Sequence, residues 1–276
     1  MKFKLNLIQA SMIAAMTAAS AGATAAVFPN FQVTETSVPG TVANTFTADK
    51  ITGNYVEVIT FTPATPAATS GTFDFSIKWN AGQFVANDGT NNVITQLGSF
   101  GAGGYGLYGL FRGSGTFSTV SGVTNFTFAP GGSLNVWIDA DQNTTFTAPA
   151  TGNLAWTTGA TSDDIAIATG AVLSGFGQLN PFLQTCLGGG INCGSFGTTT
   201  SFNLTSPAGP AYFVSPNPFF TVAFQSGQLN NFSPVGTQTI NGSLDVVFGV
   251  PEPTSIALMG LGLLGLGAAM RRRKQA

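Results

Sequence analysis

The stretch Thr72-Phe73-Asp74-Phe75-Ser76-Ile77-Lys78-Trp79 alternates without a break, and that alternation constrains the fold more than any other feature of the chain. Phe73, Phe75, Ile77 and Trp79 fall on one face and Asp74, Ser76 and Lys78 on the other. A period of two is amphipathic only in a strand. Ser133 to Asp139 repeats the pattern, with Leu134, Val136 and Ile138 on one face. Tyr55 to Thr62, Val123 to Phe128, Ala211 to Val214 and Phe219 to Phe224 are β-branched or aromatic runs between turn residues. Asn87-Asp88-Gly89 predicts a turn. Thr237 to Ile240 and Ser243 to Phe248 flank Asn241-Gly242, the spacing of a hairpin on a type I′ turn. Together these predict an all-β fold, an antiparallel β-sandwich of the jelly-roll or Ig-like kind. Ile165, Thr169, Val172, Leu173 and Phe176 recur instead at helical spacing after Ser162-Asp163-Asp164, so this segment is open between a short helix and a strand pair.

The two ends read as addresses rather than fold. Lys2 and Lys4 precede an apolar run from Leu5 to Met16, and Ala23-Thr24-Ala25 supplies small residues for cleavage. This is the layout of a secretory signal peptide over residues 1–26, with an N-terminal membrane anchor as the alternative. At the other end, Pro251-Glu252-Pro253 is held extended by its prolines. Thr254 to Met270 follows, 17 residues without a charge. That is the short end of what spans a bilayer core as a helix. Its glycines are tolerated in a membrane helix. Arg271, Arg272, Arg273 and Lys274 then form a basic cluster that stays cytoplasmic by the positive-inside bias. A plain tail anchor would share most of this layout. The three-part order over residues 250–276 resembles the PEP-CTERM sorting signal of Gram-negative bacteria. The resemblance implies a transient inner-membrane anchor, recognition of Pro251-Glu252-Pro253 by an exosortase-type processing enzyme and removal of the helix. It further implies delivery to the cell surface or extracellular matrix, in company with exopolysaccharide.

Residues 27–249 remain as an extracellular β-rich domain. Of nine basic residues in the chain only Lys50, Lys78 and Arg112 lie there, against ten carboxylates, leaving a charge of −7. That field disfavours nucleic acid, which selects clustered Lys and Arg. The 24 Phe residues argue against disorder, since disordered chains lack aromatics to bury. Cys186 and Cys193 enclose Leu-Gly-Gly-Gly-Ile-Asn, and an exported pair should form a structural disulfide. Chain entropy puts its contribution at roughly 2–3 kcal/mol.

Much chemistry is excluded. There is no histidine, so neither a Ser-His-Asp or Cys-His site nor a His-ligated zinc site can be built. The glycines from Gly98 to Gly115 lack the Lys-Ser/Thr of a phosphate loop and are interspersed with Tyr105, Tyr108 and Phe111, the composition of a strand. Ten carboxylates always include some pair, so a glycoside-hydrolysing pair is a negligible signal. The expectation is no enzyme and no cofactor, with calcium as the exception to test. Asp139, Asp141 and Asn143 place oxygens at positions 1, 3 and 5 of a calcium loop, with the Thr145 carbonyl at 7. Thr144 replaces the glycine at position 6 and Ala150 the glutamate at 12, so an EF-hand is excluded. A partial site could borrow Asp163 or Asp164. A polar turn in which Asp and Asn cap backbone amides is the alternative. Trp137 points opposite to Val136 and Ile138. It could stack on a sugar ring or be covered by another part of the fold.

Phe31-Gln32-Val33, Val38-Pro39-Gly40 and Ala48 to Tyr55 are similar to flocculation-associated PEP-CTERM proteins. That similarity implies an extracellular protein promoting cell aggregation with secreted polysaccharide. The functional expectation is therefore a surface or matrix protein supporting floc or biofilm cohesion. A lectin-like carbohydrate-binding module and a carboxylate-based polysaccharide hydrolase are the rivals.

Overall fold

The computed structural model describes residues 28–99 and 103–249. Its strands are β1 (Phe31–Thr34), β2 (Thr45–Ala48), β3 (Lys50–Pro63), β4 (Ser70–Ala86), β5 (Asn91–Asn92), β6 (Gly106–Val120), β7 (Val123–Phe128) and β8 (Gly131–Asp139). They continue as β9 (Thr145–Thr147), β10 (Thr157–Gly159), β11 (Asp164–Leu179), β12 (Gly194–Ser201), β13 (Asn203–Leu204), β14 (Phe213–Ser215), β15 (Val222–Leu229) and β16 (Gly236–Gly249). The chain is mostly β, as the alternation requires.

The main sheet runs β4-β3-β16-β15-β12-β11, and every pairing is antiparallel. The first half of β11 then pairs with β8 and the second half with β7. Both of these pair with β6, and β6 returns to β4 from Ser70↔Ser118 to Asn80↔Tyr108. The two layers of the sandwich are therefore hydrogen-bonded around their sides as a flattened barrel, and the long strands have no open edge along these pairings. Alternate residues point inward and fill it. Phe73, Phe75, Ile77 and Trp79 are buried, as the pattern predicts. Rings meet mainly edge to face: Phe61 on Phe117 at 5.1 Å, Phe75 on Phe111 at 5.1 Å, Phe31 on Phe248 at 5.0 Å. Such pairs add about 0.5–1.5 kcal/mol each beyond burial.

A three-stranded sheet, β14-β1-β2, packs at one end. It is pinned by a buried polar knot. The Glu35 carboxylate accepts from the Asn44 amide at 2.7 Å, the Gln96 backbone N–H at 2.8 Å and the Tyr105 hydroxyl at 3.1 Å. Tyr105 and Tyr212 share a hydroxyl hydrogen bond of 2.7 Å. Burial pushes both phenols upward from their usual ionisation range.

Three expectations change and one open alternative is decided. Asn241-Gly242 is not a hairpin turn. It lies inside β16, which pairs continuously with β3 from Gly236↔Phe61 to Ser243↔Asn54. A side chain at 242 would sit 2.5 Å from the Gln228 carbonyl oxygen and 2.9 Å from Tyr55 Cε1, so the glycine makes room for both rather than bending the chain. The segment at Ile165 resolves as strand β11, partnered on both sides. Its register shifts at Ala166/Ala168 and Gly170/Val172 are bulges that break the period of two and so mimic helical spacing. Ala211 and Tyr212 belong to a short helix, Ala208–Tyr212, before β14 begins. Phe219 and Phe220 precede β15, because Pro216 and Pro218 just before them have no N–H to give a ladder. Asn87-Asp88-Gly89 is a turn with all three residues at positive φ, its Asp88 and Gly89 amides capped by the Asp49 carboxylate at 2.6 and 3.1 Å.

Candidate functional site

The calcium expectation leads to the end of β8. Alternation keeps Leu134, Val136 and Ile138 in the core, and Asp139 closes the strand where the chain turns back. The turn is tied by Asp139 itself. Its carboxylate accepts the Asn143 N–H at 3.1 Å and the Thr144 N–H at 3.0 Å. Gln142 takes positive φ there and its amide bonds the Ser99 carbonyl at 2.6 Å. The amide-capping turn is thus formed.

The register of β11 against β8 sets Asp164 opposite Asp139. Asp163 is its chain neighbour. Ligand oxygens from Asp139, Asp163 and Asp164 lie within 4.8 Å of one another. Asp164 accepts from the Thr144 hydroxyl at 2.8 Å and from the Tyr108 hydroxyl. Asp163 Oδ2 accepts the Asp141 N–H at 2.8 Å, while its Oδ1 is buried and has no partner. Asp141 and Asn143 are exposed and contribute backbone N–H groups rather than side-chain oxygens to this turn. The chain thus brings Asp163 and Asp164 to Asp139, and leaves the side chains of Asp141 and Asn143 outside. Three carboxylates this close repel one another, and a hard divalent cation with oxygen ligands is the species that compensates such a group.

An aromatic shelf adjoins the carboxylates. Trp137 is half-buried, with Tyr108 stacked on it at 5.2 Å and 20°. Phe146 of β9 meets Tyr108 edge-on at 5.0 Å, and the Lys78 ammonium sits 4.6 Å from the Phe146 ring centre. Burial, the hydrogen bond to Asp164 and the charges of Asp164 and Asp139 push the Tyr108 phenol upward; burial lowers the Lys78 ammonium. Tyr108 thus occupies a large part of the Trp137 ring that a sugar would need. Trp79 is buried and donates its indole N–H to the Leu244 carbonyl at 3.0 Å; Trp156 is buried over β4 and donates to the Ser76 carbonyl at 3.1 Å.

Cys186 and Cys193 form a disulfide. Both are buried, and the bridge ties the short helix Gln184–Leu187 to the start of β12. Two features were not foreseen. One is Glu57, buried at a core-facing position of β3. The other is a groove between Asn203 and Thr221. The first had a signal in the alternation Tyr55-Glu57-Ile59-Phe61; the second had none.

Pro251, Glu252, Pro253, the cluster Arg271 to Lys274 and the leader over residues 1–26 lie outside the described residues. The comparisons speak for the tail. No curated protein and no solved structure matches the chain. Residues 249–274 match the PEP-CTERM protein-sorting motif. The tail therefore marks an exosortase-targeted extracellular protein carrying the C-terminal, membrane-associated sorting signal of Gram-negative bacteria.

Proposed function

We propose that this chain is a non-catalytic surface or matrix protein that supports cell aggregation in floc or biofilm together with exopolysaccharide. One observation carries the reading: the sorting motif begins at residue 249, where β16 ends. The barrel is complete at the point where the sorting segment starts, so processing after Gly249 would remove address and leave architecture. The acidic, histidine-free composition and the leader-like start support an exported structural role over an enzymatic one. Two measurements test it. Deletion of the gene should disperse aggregates while polysaccharide output stays normal; aggregates that persist would overturn the reading. Mass spectrometry of the exported protein should find Arg271 to Ala276 gone, and their retention would contradict processing.

A second reading concerns a divalent cation at Asp139, Asp163 and Asp164. The buried, unpartnered Asp163 Oδ1 within that group favours it. Calcium at about one hundred times its Kd should add about 2.7 kcal/mol of stability, reversed by chelator. Asp163→Asn should abolish the gain, and an unchanged melting temperature at millimolar calcium would end the idea. Carbohydrate binding at Trp137 is the weaker form of the lectin-like alternative, given the ring that Tyr108 covers.

A further inference from the structure

A groove of about 350 Å³ opens beside β14, away from the carboxylates. Its floor is Phe202 and Phe213, both buried. One wall is the helix residue Pro210 with Val214; the other is the loop Pro216 to Thr221. The walls are preformed. Pro210, Pro216 and Pro218 have φ fixed by their rings, so closing on a ligand costs little backbone freedom. Phe219 stacks on Phe213 at 4.9 Å, and Phe220 packs on Phe219 at 5.4 Å. The aromatic step from floor to rim is therefore held from below.

The rim has a distinct chemistry. The amides of Asn203 and Asn217 are exposed, and among the described residues neither they nor the Thr221 hydroxyl make a side-chain hydrogen bond. No charged side chain lines the groove. Such a site offers nothing to a phosphate, a carboxylate or an ammonium. It offers apolar faces bordered by free donors and acceptors, and its volume lies within the range of small-molecule sites. A sugar ring has the matching surface, C–H groups on its faces and hydroxyls around its edge. The acidic balance of the domain, ten carboxylates against three cations, selects further against an anionic polymer.

We propose that this groove binds a neutral sugar unit of a polysaccharide, stacked against Phe219 and Phe220 and hydrogen-bonded by Asn203, Asn217 and Thr221. The proposal rests on the matrix reading for its biological sense but not for its chemistry. The test is calorimetric titration of the exported chain with cellohexaose, laminarihexaose and mannohexaose, with an alginate hexasaccharide as the anionic control. At least one neutral probe should saturate, and the alginate probe should not. Phe220→Ala should weaken binding by about tenfold or more. Asn217→Ala, at an exposed position whose loss leaves packing intact, should weaken it measurably with an unchanged melting temperature, while Trp137→Ala should leave it alone. No saturation by any neutral probe at millimolar concentration, binding indifferent to both groove variants, or equal binding of alginate would each overturn the proposal. Saturation by a polyproline peptide in place of every sugar would make the groove a peptide site and also overturn it. The two readings fail separately. If the deletion strain still aggregates while the groove binds a hexasaccharide, the matrix role falls and the site stands. If the Asn217→Ala chain restores aggregates yet no sugar binds, the site falls and the role stands.

Discussion

Glu57 lends itself to a sharp stability experiment. It is 4% exposed and faces the core from β3, between Ile77 on β4 and Ile240 on β16. Its surroundings include Phe73, Phe126, Phe128, Phe196, Leu229 and Phe232. The other buried acids, Glu35, Asp49 and Asp139, each accept at least two hydrogen bonds. Glu57 accepts none among the described residues, and burial alone pushes its carboxyl from about 4.5 up to about 8. The sign follows from proton counts. Below pH 4.5 both folded and unfolded chains hold the proton, and the position costs no ionisation. Between 4.5 and 8 the unfolded chain has lost the proton and the folded chain keeps it, so stability falls as pH rises. Above 8 both have lost it and the penalty is complete, about 5 kcal/mol at 1.36 kcal/mol per pKa unit. Most of that loss falls between pH 5 and 8, on the order of a few kcal/mol against the 5–15 kcal/mol typical of a folded domain. The chain has no histidine, the side chain that ordinarily titrates in this window. Urea unfolding of the exported chain from pH 5 to 9 should show the decline, and Glu57→Gln should flatten it and overtake the wild type by pH 8. Parallel curves for the two proteins would refute the reasoning.

Three further outcomes are expected. Reducing the Cys186–Cys193 bridge, or Cys193→Ser with Cys186→Ser, should cost about 2.5 kcal/mol by denaturant titration, because the closed loop is short. Glu35→Ala should cost about 3 kcal/mol by the same measurement, since it strands the donors of Asn44, Gln96 and Tyr105 in the interior. Gly242→Ala should cost about 1–3 kcal/mol by thermal melting, because the added methyl collides with the Gln228 carbonyl and with the Tyr55 ring.

The sheet was largely legible because its strands alternate where pairing is regular. Phe73 to Trp79 and Leu134 to Ile138 announce their faces one residue at a time. Legibility fails where geometry is set from a distance. Asn241-Gly242 has the composition of a type I′ turn, and what requires a glycine in an extended conformation there is the Gln228 carbonyl and the Tyr55 ring, both distant in sequence. The bulges in β11 scramble its period, and with β11 undecided the meeting of Asp163 and Asp164 with Asp139 could only be raised as a possibility. Glu57 shares the period-two face of Tyr55, Ile59 and Phe61, a signal in the sequence that its charge masks, and the pairing of β3 with β4 and β16 places that face in the core. The groove lies where the two expected strands are only half formed, at residues 213–214 and 222–224, and the helix end and proline loop between them gave no pattern that foretold a concavity.

The position of β16 has a mechanical consequence. It is the last strand before the sorting segment, yet it lies inside the sheet, with β3 on one side and β15 on the other. A pull delivered through the C-terminal segment enters the fold at Gly249 and runs along the axis of that strand. Both ladders then bear the load in shear, many hydrogen bonds at once, where an edge strand peeled sideways would yield them one by one. An attachment at this end would grip the barrel along one of its most firmly bonded lines.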